Sequence, residues 1–181
     1  SHSVKKVLKA KYKVGLANYQ PIKTENLIKE LNTPLDTLLY TEAMGKALTL
    51  LKNKNSILPL KSTMKLGHIP LGDASSAAFK NHLKKYGSIH TLNDVTAANA
   101  LEKTAGLDTL IVSFHRSNDT PWKASNFNKE ELNIIKKLAA KKTVVLDVFV
   151  KPYALGALER VKGIDALLLS YQNSAISQKL S

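Results

Sequence analysis

The sequence predicts an α/β fold, a three-layer sandwich around a mainly parallel sheet of about five strands, preceded by a helical extension. Three observations carry this expectation. Short apolar runs, β-branched or leucine-rich, recur at about 65–71, 88–92, 108–114, 143–149 and 164–170. All but the last are followed by a stretch of helical periodicity, at about 74–86, 94–105, 129–141 and 154–162. Strands that alternate with helices pair in parallel, and the crossovers cover both faces of the sheet.

The elements follow in chain order. Val4, Val7 and Leu8 share a helical face among lysines over residues 4–13, with Gly15 as the stop. The stretch from Leu16 to Pro34, with prolines at 21 and 34, reads as a connector carrying one or two helical turns. A helix start is signalled at Thr33-Pro34-Leu35-Asp36: Thr33 as N-cap, Pro34 at the first helical position, Asp36 three residues after the cap. That helix runs to Ala47 and gives way to "LTLLKN", a polar turn and a returning "ILPL", read as a hairpin ahead of the first sheet strand. The division expected is residues 1–33 as extension and linker, and 34–181 as the sandwich.

Composition excludes several classes. A chain of 181 residues with 44% hydrophobic and 23% charged residues can bury a core. It contains no cysteine, so disulfides, thiolate zinc sites and cysteine nucleophiles are out. No apolar run approaches the roughly 20 residues a membrane-spanning helix needs. The net charge of +13 raises polyanion binding. However, 11 lysines face 4 acids over residues 1–61 and 16 basic residues face 10 acids over 62–181, so the excess is spread along the chain. No base-reading motif accompanies it, and no specific nucleic-acid partner is expected.

The residues able to carry chemistry are scattered along the chain. His2, His68, His82 and His90 show no metal-ligand spacing, and neither metal nor cofactor is expected. "PLGDASS" has one glycine where nucleotide loops need more; Asp73 or Ser75 reads as a helix N-cap. Asp147, inside a strand, reads as a carboxylate satisfied by backbone donors. Glu130 and Glu131 open a helix, where acids suit the macrodipole. Pro152-Tyr153 reads as a helix start, with the Tyr153 ring packed and its hydroxyl reaching solvent. One loop stands apart. His115 follows the run "LIVSF" at a strand's carboxyl end, where open α/β sheets gather ligands. With Arg116, Asn118, Asp119 and Trp122 it forms the most polar loop of the chain, holding the chain's single tryptophan. These five residues are the candidate substrate or domain-junction site. Trp122 either stacks on a sugar or partner surface, or closes the core beneath the loop.

The stretch "ALTLLKNKNSILPL" resembles the entry to the carboxy-terminal domain of glycoside hydrolase family 3, where a helix runs into an "LLKN…LPL" element. "GDASSAAFKNHLKKYG", "DTLIVSFHRSNDTPW", "VVLDVFVKPYAL" and "DALLLSYQNSAISQKL" follow in the family's order, and "KPYAL" with "LLSYQNS" is most similar to its bacterial β-N-acetylglucosaminidase branch. The resemblance implies a non-catalytic domain that stabilises a catalytic barrel and lines its cleft. "VKKVLKAKYKVGL" resembles the last helix of that barrel, and the chain stops short of the segment that completes the domain. The nucleophilic aspartate and the acid/base histidine then belong to the barrel, so no catalytic residue is assigned here. The resemblance further implies a retaining glycosidase parent, a carbohydrate substrate at the junction, and a cell-envelope, periplasmic or extracellular location. The competing class is an independent basic module that binds polysaccharide or nucleic acid.

Overall fold

The computed structural model describes every residue except Ser62, Asn118, Thr120, Pro121 and Lys123. It divides into two compact units, Ser1–Leu38 and Leu39–Ser181. In the first unit, α1 (His2–Lys13) is capped by Ser1, whose hydroxyl accepts from the Val4 amide at 3.5 Å. It ends just before Gly15, which takes a left-handed φ of +79°. After α2 (Leu27–Glu30) comes the start of α3 (Pro34–Ala47). Its cap is the one the sequence signals: Asp36 N donates to Thr33 Oγ1 at 3.2 Å while Thr33 N donates back to Asp36 Oδ2 at 2.8 Å. The Thr33 hydroxyl, then the Thr33 amide, hold the Asp36 carboxyl below its usual range.

The second unit is built on a six-stranded sheet. Its strands are β1 (Thr49–Asn53), β2 (Leu66–Gly72), β3 (His90–Thr91), β4 (Thr109–His115), β5 (Thr143–Phe149) and β6 (Ala166–Leu169). They lie in the order β1-β6-β5-β4-β2-β3, with every pairing parallel except β1 with β6. Among the helices, α4 (Ala77–Leu83) follows β2, α5 (Ala100–Lys103) precedes β4, α6 (Lys129–Ala139) follows β4 and α7 (Ala175–Leu180) follows β6.

Alternation along the strands sorts the two faces. Val112 and Phe114 of β4 with Leu146 and Val148 of β5 face one side, packing with Ile135 and Leu138 of α6, Ala100 of α5 and Ala154. Ile111 and Phe149 face the other side and meet Phe79 of α4, with Leu60, Leu83 and Ile89 around them. Both faces are covered, which is why β4 is buried at every position.

Four local expectations are corrected. "LTLLKN" does not form a hairpin with "ILPL"; it runs antiparallel to β6 as a sheet edge, adding a sixth strand. The helix expected over 94–105 is one turn, α5, since Asp94 takes a left-handed φ of 53° and residues 96–99 form turns held by Asn99 to Thr96 and Asp94. Residues Pro152–Leu158 wind as a 3-10 helix, and Tyr153 is 85% exposed, so its ring is not packed. The last strand is followed by a helix after all: α7, capped by the Ser174 hydroxyl, which accepts from Ser177 N at 3.1 Å.

Candidate functional site

The strand order reverses between β2 and β4, since β2 leads outward to β3 while β4 leads inward to β5. The segment after β2 enters α4 on one face, and that after β4 enters α6 on the other. Segments that leave in opposite directions open a crevice at the carboxyl ends of the strands. The β4–α6 loop, which carries the five candidate residues, begins at this point.

Gly72 and His115 are register partners at the two strand ends. Gly72 has φ +103°, and a Cβ built on it would stand 1.8 Å from the His115 carbonyl oxygen. That oxygen accepts from Asp73 N at 3.1 Å. Only glycine lets the backbones approach so closely.

His115 is fully buried. Its ring stacks on Phe149 at 4.5 Å between centroids, 8° from parallel. Its Nδ1 donates to Asn173 Oδ1 at 2.7 Å. Nε2 has no hydrogen-bond partner among the described residues. Burial pushes the imidazole down to about 4, against the pull of Asn173, so it is neutral at physiological pH. Asn173 and Gln178 stitch this strand end to its neighbours. Asn173 Nδ2 and Gln178 Nε2 donate to the Ser75 carbonyl at 3.2 and 2.8 Å, and Gln178 Oε1 accepts from Phe79 N at 2.9 Å.

Arg116 is also buried, with its guanidinium committed to Glu131, Asn126 and Asp73. Asp119 and Trp122 are exposed, Trp122 by 90%. Asn118 lies outside the described residues. The structure therefore splits the candidate set: His115 and Arg116 point inward and support the loop, while Asp119 and Trp122 face solvent. Trp122 does not close the core. Phe127 does, stacked on Phe114 at 3.8 Å. Asn173, Gln178 and Glu131, which sequence reasoning left without a role here, complete the support.

Two further polar groups lie under α4 and α7. His68 Nε2 pairs with Ser113 Oγ at 2.7 Å, and burial, reinforced by His115 and then Lys80, pushes its imidazole down to about 3. Asp147 Oδ1 accepts from Ser170 Oγ at 2.7 Å and Oδ2 from Ser181 Oγ; burial raises the carboxyl to about 6 despite these donors. Its partners are thus chiefly hydroxyls rather than the backbone amides expected. No cluster of three or more His, Cys, Asp or Glu able to hold a metal occurs among the described residues. An apolar cleft of about 310 Å³ between α4 and α7, bordered by Leu60, Leu83 and Leu180, brings no pair of catalytic groups together.

The sequence matches no family model and no curated protein. The fold does have counterparts among solved structures. A glycoside hydrolase family 3 β-N-acetylglucosaminidase from Paenibacillus sp. superposes on 98% of this chain with a TM-score of 0.61 at 16% identity. The fold is that of the family 3 carboxy-terminal α/β domain. A mutant β-glucosidase from Listeria innocua in complex with laminaribiose matches 96% of the chain (TM-score 0.67, 16% identity), and a β-glucoside phosphorylase matches 94% (TM-score 0.68, 15% identity). The chain spans only 35%, 28% and 33% of these three proteins, in the order given.

Proposed function

We propose that the chain is a non-catalytic domain of a family 3 glycoside hydrolase, a bacterial β-N-acetylglucosaminidase acting on cell-wall or other amino-sugar glycosides in the cell envelope. In this reading it stabilises a catalytic barrel carried elsewhere in the same protein, and the β4–α6 loop walls the barrel's cleft. The observation that carries the reading is Trp122, exposed on the loop that leaves β4 at the switch point of a sheet with the family 3 fold. An exposed indole suits stacking on a sugar face or burial at a domain interface, and Asp119, exposed on the same loop and accepting from the Ser117 hydroxyl, suits hydrogen bonding to hydroxyls.

Glycoside hydrolysis needs two carboxyl groups flanking one bond. Here Glu131 is paired with Arg116, and Asp147 lies beneath α7 bound to serines. The reaction is accordingly assigned to the barrel, by resemblance to the family. The test is to assay the chain and its whole parent protein on a chromogenic N-acetylglucosaminide. Turnover by the parent and none by the chain is expected. Turnover by the pure chain that disappears when one of its own acids is replaced would overturn the assignment.

A further inference from the structure

One side chain closes the base of the β4–α6 loop. Arg116 Nη2 donates to both Glu131 carboxylate oxygens, at 2.8 and 2.7 Å, and to the Asn126 carbonyl at 3.3 Å, while Nη1 stands 3.6 Å from Asp73 Oδ1. The guanidinium carbon lies 4.8 Å over the Phe114 ring. Glu131 is itself fixed by the capping box of α6: its Oε2 accepts from Asn128 N at 2.7 Å, and its amide donates to Asn128 Oδ1 at 2.8 Å. The first residue after β4, the carbonyl just before Phe127, the start of α6 and the neighbouring β2–α4 segment thus meet at one planar cation. A guanidinium suits this because it offers several donors in a fixed plane, which an ammonium cannot. Apolar groups often replace a buried ion pair without loss of stability, so this one is better explained by the geometry it enforces.

We propose that Arg116 is a positioning residue, which pins both ends of the segment Ser117–Asn126 and so sets how Trp122 is presented to the sugar. The proposal rests on the reading of this loop as the site, but its test can be scored separately. The chain's single tryptophan makes intrinsic fluorescence a report on Trp122 alone. Two variants are compared with the unaltered chain: Arg116→Lys, which keeps the charge but loses the fork, and the pair Arg116→Met with Glu131→Gln, which removes both buried charges and leaves only the half-exposed Asp73 without its partner. Each is measured by far-UV melting, by the nanosecond anisotropy decay of Trp122 and by amide exchange, and the same substitutions are placed in the whole parent enzyme to read its KM for a chromogenic N-acetylglucosaminide.

In both variants, amide exchange at Ser117, Asp119 and Trp122 and over 124–126 should rise about tenfold, the fast component of the Trp122 anisotropy should grow, and exchange in β4 and β5 should stay unchanged. The KM of the parent should rise about tenfold for the same reason, because a loosened loop must be ordered on binding. Loop exchange and anisotropy equal to the parent chain's in a folded variant would overturn the proposal, as would a rise shared equally by β4 and β5. A parent KM that does not move in either variant while loop exchange rises would count against the functional reading, while exchange and anisotropy would still decide the role of Arg116.

Discussion

Asp147 accepts a hydrogen bond from the Ser170 hydroxyl at 2.7 Å beneath α7, in a position almost closed to water. Ionisation there is costly, and the carboxyl rises from 3.8 to about 6. A carboxyl that binds its proton more tightly when folded adds stability below pH ~4 and loses it as pH climbs through about 6. The amount is on the order of 3 kcal/mol. Stability of the unaltered chain measured against Asp147→Asn should therefore fall by roughly that much between pH 4 and 7. Urea midpoints of the two proteins that stay parallel over this range would contradict the assignment. The comparison isolates Asp147, because His68 and His115 are present in both proteins.

The two buried histidines act in the opposite direction. Their imidazoles are pushed down to about 3 and about 4, so their contribution is full above 6.5 and is lost as pH falls through those values. His115→Gln, an uncharged replacement, should flatten the stability curve between pH ~6.5 and ~4, as followed by circular dichroism. An acid limb of unchanged slope would show that His115 is not held neutral.

Gly72 and Gly45 should respond oppositely to alanine. At Gly72 the new Cβ would collide with the His115 carbonyl, and φ is +103°. Gly72→Ala should cost more than about 3 kcal/mol or prevent folding. At Gly45, on α3, a Cβ meets nothing within 4 Å. Gly45→Ala should stabilise by up to about 1 kcal/mol through helix propensity. Thermal melts of the pair check both signs.

Asn173 bridges His115 to the β2–α4 segment, accepting from His115 Nδ1 and from Gln178 Nε2 and donating to the Ser75 carbonyl. Asn173→Ala leaves a buried imidazole donor unpaired and should cost about 1–3 kcal/mol in urea unfolding. A cost under about 0.5 kcal/mol would mean the bridge is replaced by other contacts.

Much of the fold was legible because burial on both faces leaves a simple mark. "TLIVSF" and "TVVLDVF" are continuous apolar runs, which is what a central parallel strand requires. "LTLLKN" was not legible as an edge strand, because its partner β6 lies more than a hundred residues away and local pattern carries no pairing. The helix α7 did leave a signal, Ser174 before "AISQKL", a capping serine of the kind recognised at Thr33. At the candidate site the position of the loop followed from the end of β4, but its inward and outward sides did not. His115 reads as a loop residue in sequence; Phe149 from β5 and Asn173 from beyond β6 are what bury it. Phe127, the residue that does close the core, was overshadowed by the rarer Trp122.

In the proposed function, the β4–α6 loop serves the active site of a glycosidase through Trp122. The most direct measurement is the steady-state kinetics of the whole parent enzyme carrying Trp122→Ala. The indole is 90% exposed on this chain and takes no part in its core, so its removal should leave the chain's own melting temperature unchanged. kcat/KM should fall about tenfold or more, as expected for loss of an aromatic contact of roughly 1.4 kcal/mol or greater. Kinetics identical to those of the unaltered enzyme, with the same melting temperature, would contradict it.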